Sequence, residues 1–265
     1  MTAFQENCAV MSEKPLAENL TQADGLVAKA KALGLFFGIM QNRRYLRQIR
    51  SCRQLIDDGL IGTPGYVGAD FFLGPHFGGF RDLMDSPLLL DMAIHTFDQA
   101  RFLTGTKAES VYCHEFNPQG SWYRGNASAV AIFTLDNGVV FCYRGSWCAL
   151  GCQTSWEADW RITGSSGSIL WDGRSMPRAE ILKQGGDQQS SGEQPARKFI
   201  ADLDPVVGRD TWDGQEGHPG CLDALFTAML AGRAAETDGA DNRHSLAMVM
   251  GAIESARTGQ KIAVL

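Results

Sequence analysis

From about Ser110 the chain changes its grammar, and that change limits the folds open to it. Apolar and polar residues alternate with a period of two through ESVYCHEF, ASAVAIFTL, VVFCYRGSW, SWEADWRITG and GSILWDG, with turn residues between the segments. Asp136-Asn137-Gly138 separates the second segment from the third. Asn-Gly between two apolar runs is a strong hairpin signal, because the turn needs positive φ at both positions. Such a run of short strands builds a sheet whose neighbours are mostly antiparallel. Helical periodicity falls outside it, over 87–103 with Pro87 near the start, and near 218–232 and 241–257, before a last strand at 262–265. The expected fold class is α+β: a large open, mostly antiparallel sheet with helices on one face.

The first forty residues follow a different plan. A short apolar stretch at 9–12 and the run LFFGIM at 35–40 read as buried strands, and TQADGLVAKAKAL between them reads as a helix. Thr21 is the expected N-cap, with Asp24 three residues on, and Gly34 is the expected stop. Strand, helix and strand in that order make a βαβ unit of a parallel sheet. A doubly wound dinucleotide-binding sheet needs two such halves, and only one is visible. Residues 42–60 (NRRYLRQIRSCRQLIDDGL) follow as one helix, with Tyr45, Ile49, Cys52 and Ile56 along a single face and Gly62 as its stop. A strand at 65–73 leads into GPHFGGF at 74–80, which lacks the G-x-G-x-x-G order and reads as a flexible loop near a pocket. Residues 184–217 read as an exposed loop region.

Bulk properties exclude several classes of function. A net charge of −6 and a pI near 5.4 argue against nucleic acid or an anionic membrane as the main partner. No apolar run approaches the roughly 18 residues of a membrane span, and MTAFQENCAVMSEKP has neither a basic n-region nor an apolar h-region. The seven cysteines are odd in number and scattered, with no C-x-x-C, which fits reduced thiols and a cytoplasmic location.

Two segments carry chemistry. Lys14 stands directly after an apolar strand, at the carboxyl end where ligands bind in α/β sheets, and Pro15 holds it toward an extended conformation. Asp91, His95 and Asp98 fall at i, i+4 and i+7 of a helix and so share a face. Carboxylates one turn either side would hold the imidazole in one tautomer and raise its pKa, as a general base requires. Two other readings stand beside this one. Asp91 caps a neighbour while His95 is a buried, satisfied histidine, or D-x₃-H-x₂-D joins His76, His114 or His218 around a metal, although no H-E-x-x-H is present. No metal is expected.

Taken together, these segments resemble a known family. Glu13-Lys14-Pro15-Leu16-Ala17, Asn42-Arg43-Arg44, Asp91-x₃-His95-x₂-Asp98, Trp160-Arg-Ile-Thr-Gly164 with Gly167, Thr237-Asp238-Gly239 with Asp241, and Glu254-Ser255-Ala-x-Thr-Gly259 occur in order from about residue 8 to 265. They resemble the signature of the glucose–fructose oxidoreductase/inositol dehydrogenase/MocA (Gfo/Idh/MocA) enzymes, with wording at 91–103 nearest the inositol-dehydrogenase-like members. The resemblance implies hydride transfer between NAD or NADP and a secondary alcohol of a sugar or cyclic polyol. It implies that Lys14, Asp91 and His95 are catalytic and that Glu13, Lys14, Pro15, Asn42 and Arg43 face the cofactor. Lys14, Asp91, His95 and Asp98 would bind substrate. It also implies a homodimer or homotetramer built through the open sheet face at 110–172.

The chain departs from the family pattern in two places. Ala93 stands where the family commonly has Gly, a small change in a helix. In addition, Met1 to Ser12 alone precede the Lys14 motif, where the family carries its phosphate-binding turn and ribose-binding acidic residue. Residues 1–41 are accordingly expected to be the remnant of a Rossmann domain, and 42–265 the substrate-binding and oligomerising domain. The expectations are a truncated oxidoreductase with weak or no cofactor binding of its own, or a non-enzymatic sugar-binding or structural relative. The intact Lys14, Asp91 and His95 favour the first.

Overall fold

Apolar runs on either side of the first long helix become a parallel strand pair. The computed structural model describes residues 2–183 and 202–264. A short helix α1 (Thr2–Gln5) precedes β1 (Val10–Ser12), α2 (Leu20–Leu33) and β2 (Phe37–Ile39). Val10 pairs with Phe37 and Ser12 with Ile39 in parallel register. The N-cap of α2 is Asn19, two residues before the expected Thr21. Its side-chain oxygen accepts from the Gln22 backbone N–H at 2.9 Å, so Thr21 already lies inside the first turn. Gly34 ends the helix at φ +64°, a left-handed conformation that favours glycine.

The single helix expected over 42–60 is broken. A 3₁₀ turn over Asn42–Tyr45 is followed by extended Leu46 and then by α3 (Arg47–Asp57), which ends at Asp58 before Gly62 is reached. The break turns Arg43 and Arg44 into the protein, where buried carboxylates receive them. Tertiary ion pairing here overrides a helical pattern. β3 (Pro64–Phe72) follows, and then a loop with a short 3₁₀ turn at Gly79–Leu83. The expected 87–103 helix begins as a π-helix over Leu88–Ala93 and becomes α4 at Ile94–Thr104.

The alternating segments form β4 (Ala108–Phe116), β5 (Ser128–Leu135), β6 (Val140–Ser146), β7 (Asp159–Gly164) and β8 (Gly167–Trp171). Two further strands escaped the sequence reading, β9 (Arg178–Leu182) and β10 (Leu203–Val207). The second replaces part of the loop expected at 184–217, of which 184–201 lie outside the described residues. Helices α5 (Gly217–Leu230) and α6 (Gly239–Thr258) and strand β11 (Ile262–Ala263) complete the chain.

Nine strands form one sheet in the order β10-β9-β8-β7-β3-β6-β5-β4-β11, antiparallel throughout except for the central β3–β6 pair. This is the α+β arrangement expected from the alternation. Helix α4 lies on the inner face of the sheet, with Phe97 edge-on to Phe133 at 4.8 Å and to Tyr143 at 5.2 Å between ring centroids. Outward positions carry Tyr66, Tyr112, Val130, Ile132 and Val140, all exposed. Helix α6 serves both layers: Leu246 joins the cluster of Phe4, Ala23, Phe37 and Ile39, while Met248, Val249 and Ala252 join the core of the large sheet. Among the described residues no helix is long and apolar enough to cross a membrane.

Candidate active site

Lys14 lies two residues beyond the end of β1, and its side chain reaches the π-helical turn before α4. Its Nζ donates to the Asp91 carbonyl at 2.6 Å and to Asp91 Oδ1 at 3.2 Å. The wider winding of a π turn loosens its backbone ladder, which suits a carbonyl that accepts from outside the helix. The other carboxylate oxygen of Asp91 accepts from Arg81 Nε at 2.8 Å, so one carboxylate holds two cations. Arg81 comes from the loop that follows β3. The Lys14–Pro15 peptide bond is cis, and Glu13 and Pro15 are exposed on either side of Lys14.

His95 is only 7 % exposed, and its Nδ1 has no hydrogen-bond partner among the described residues. The expected raised pKa is reversed. Burial holds the imidazole well below its ordinary value, and the electrostatic influence of Arg43, Lys14 and His218 acts in the same direction. Neither neighbouring carboxylate offsets this, because Asp91 is taken by Lys14 and Arg81 while Asp98 faces other partners. The ring is therefore neutral near pH 7, with a buried nitrogen unpaired. A neutral imidazole is the form that accepts a proton.

Asp98 does not join Asp91 and His95. It is buried, accepting from Arg44 Nε at 2.7 Å, Arg44 Nη2 at 2.6 Å and the Ser245 hydroxyl at 2.7 Å. Asp241 completes this cluster by accepting from Arg44 and Arg101, at 2.7 and 2.6 Å. Burial pushes the Asp241 carboxyl up, but the two guanidinium groups outweigh it and hold it below the usual range. The substrate-binding role expected of Asp98 is thus replaced by a structural one, since every strong donor it meets belongs to the protein core.

Arg43 and Asn42 do reach the neighbourhood of His95. Arg43 donates to the Trp156 carbonyl and lies 3.6 Å from Glu157, whose carboxylate also accepts from Gln99 at 2.9 Å. Gln99 stands one turn beyond His95 on α4, so Glu157 ties the Arg43 turn to the His95 helix. The Asn42 amide and His218 Nδ1 are 3.3 Å apart. Gln41, just after β2, is buried with neither side-chain amide atom paired among the described residues. Arg81, Gln41, Gln99 and Glu157 were not foreseen as members of this neighbourhood, and His218 was named there only as a candidate metal ligand. Only the i+4 spacing of Gln99 from His95 offered a local signal.

Among the described residues no three His, Cys, Asp or Glu side chains converge as metal ligands, and no disulfide joins any of the seven cysteines. Together the residues place a cationic donor, Lys14, and a neutral acceptor, His95, around one carboxylate. That combination supports acid–base work on a hydroxyl or carbonyl oxygen.

The family model for the GFO/IDH/MocA C-terminal domain matches residues 49–170. Uncharacterized protein y4oX of Sinorhizobium fredii is 27% identical over 99% of this chain and 71% of its own length. A D-apiose dehydrogenase of Rhizobium rhizogenes is 26% identical over 94% of this chain and 70% of its own. The fold is shared with a levoglucosan dehydrogenase solved with NADH and levoglucosan, at a TM-score of 0.79 and 18% identity, covering 99% of this chain and 75% of that one. Residues 49–170 thus match the C-terminal domain of the Gfo/Idh/MocA oxidoreductases, and nearly the whole chain is similar to a dehydrogenase, D-apiose dehydrogenase.

Proposed function

We propose that the chain carries the acid–base and substrate-binding groups of an NAD- or NADP-dependent oxidoreductase acting on a secondary alcohol of a sugar or cyclic polyol. The observation that carries this reading is the convergence of Lys14, Asp91 and His95 beyond the carboxyl end of β1. The residues present fit the nicotinamide end of a dinucleotide. Gln41 follows β2, next to Asn42, with its buried amide unpaired among the described residues, and such an amide matches a carboxamide. For the phosphate end, these 265 residues contain no G-x-G-x-x-G. When bound, the cofactor accepts a hydride from the carbinol carbon.

The chain's own residues account for the proton. Lys14 donates a hydrogen bond to the reacting oxygen, in a direction fixed by Asp91. His95, kept neutral by burial and by Arg43, takes the hydroxyl proton and returns it in the reverse reaction. Arg81 shares the charge of Asp91, so that Asp91 orients Lys14 without competing for the proton. The relatives' names support small sugars as substrates.

The test is a titration with NADH and NADPH by nicotinamide fluorescence, followed by assays with myo-inositol and aldoses. Weak, submillimolar binding with turnover is expected, and His95→Asn should lower kcat by about 10²–10⁴-fold while cofactor affinity stays unchanged. Absence of binding at millimolar cofactor would sink the reading of an independent dehydrogenase and leave a sugar-binding relative. The outer face of the nine-stranded sheet supports a homo-oligomer. Its exposed apolar residues, Tyr66, Tyr112, Val130, Ile132 and Val140, form a surface a second copy would cover. The scattered free cysteines fit a reducing, cytoplasmic compartment.

A further inference from the structure

Two loops that contribute to the acid–base neighbourhood also bring aromatic rings to its rim. Phe77, from the loop after β3, and Trp156, from the loop after β6, lie with ring centroids 6.4 Å apart and planes inclined by 32°. Trp147 stands behind both, 6.1 Å from Phe77 and 5.6 Å from Trp156. Phe77 is 59% exposed and Trp156 45%, whereas Trp147 is fully buried. A single exposed aromatic needs no explanation. Two rings from separate loops, sharing one buried indole as backing, form a continuous strip.

Both ends of that strip are tied to the site. The Arg81 guanidinium lies 5.5 Å from the Phe77 ring centroid, and its Nε donates to the same Asp91 carboxylate that holds Lys14. The Trp156 carbonyl accepts from Arg43, which is paired with Glu157 and through it with Gln99, one turn from His95. The aromatic faces and the proton-handling groups therefore belong to one connected structure. An apolar platform beside a few fixed polar groups is the usual composition of a small-molecule site.

We propose that Phe77 and Trp156, backed by Trp147, are the stacking platform for the substrate, and that the ligand is a neutral six-membered sugar or cyclitol ring. Such a ring has a face of C–H groups that carry partial positive charge, which suits the negative face of an aromatic π-system. Its hydroxyl edge then turns toward Lys14, Asp91 and Arg81. The proposal rests on the reading above only in placing that edge at Lys14 and His95, because stacking itself requires no hydride transfer.

Binding decides the proposal independently of turnover. Saturation-transfer NMR and tryptophan fluorescence would be recorded with methyl β-D-glucopyranoside, myo-inositol and open-chain sorbitol. The parent chain would be compared with Phe77→Ala, Trp156→Ala and Leu150→Ala, the last an exposed residue of the same loop outside the strip. A cyclic probe should bind the parent, with saturation strongest on its C–H face. Phe77→Ala and Trp156→Ala should each weaken it about threefold to tenfold, and Leu150→Ala should leave it unchanged. Far-ultraviolet circular dichroism checks folding, and Phe77→Ala decides alone if Trp156→Ala does not fold. Failure of both cyclic probes to bind the parent, sorbitol binding as tightly as the rings, or unchanged affinity in the variants overturns the platform. Intact stacking without turnover would instead remove the oxidoreductase reading and keep the platform.

Discussion

Asp98 accepts two hydrogen bonds from Arg44 and one from Ser245 while almost fully buried, and Asp241 links Arg44 to Arg101 beside it. Desolvating a carboxylate is costly, and the cluster offsets that cost only while its partners are complete. Asp98→Ala leaves Arg44 and Arg101 with Asp241 as their remaining partner in the cluster. It should destabilise the chain by about 3–5 kcal/mol in urea unfolding, whereas a solvent-screened surface pair such as Arg257–Glu254 should contribute little. The local sequence gave Asp98 the same standing as Asp91, since both lie within a helical turn or so of His95. What separates them is distant in the chain: Lys14 and Arg81 claim one, and Arg44 and Ser245 claim the other. Lys14, Asp91 and His95 were legible because their motifs are short and continuous. Arg81, Glu157 and Gln41 were not, because their membership depends on loops brought together by the fold.

The same limit applies to whole elements. Strands β4 to β8 alternate cleanly because one face is buried, and the hairpin expected at Asn137-Gly138 forms with Gly138 alone of the two at positive φ. Strands β9 and β10 sit at the sheet edge and carry Arg178, Glu180, Asp204 and Pro205, which blunt the apolar signal and protect the edge. Near the other end of the sheet, the end of β4 meets the start of the π-helical turn. Ser86 donates to Glu115 at 3.0 Å, and Glu115 Oε1 is buried without a partner among the described residues. Burial pushes the Glu115 carboxyl up to about 7, against the opposing effect of the Ser86 hydrogen bond. Its folded value exceeds its unfolded one, so its contribution to stability is complete below about pH 4.5 and is lost as pH rises through 7. Glu115→Gln should therefore match the parent near pH 4.5 and exceed it by about 2 kcal/mol at pH 8.5. Thermal unfolding across that range checks it, and a constant difference would refute the assignment.

At the scale of the molecule, the outer sheet face sets how copies meet. Ile132 lies near the middle of that face, on β5 between β4 and β6. Ile132→Glu should convert the proposed oligomer to monomer by light scattering while leaving the fold intact, because the side chain already points to solvent. An unchanged mass would place the assembly elsewhere. The helix α6 has a different consequence. Its Leu246 floors the β1–β2 layer, its Met248 and Val249 belong to the large sheet, and Asp238 before it bridges Gly38 of β2. The segment before residue 41 and the large sheet are therefore tied mechanically through one helix. Loosening this one helix would unseat both sheets together, and amide protons along α6 should be among the last to exchange with deuterated solvent.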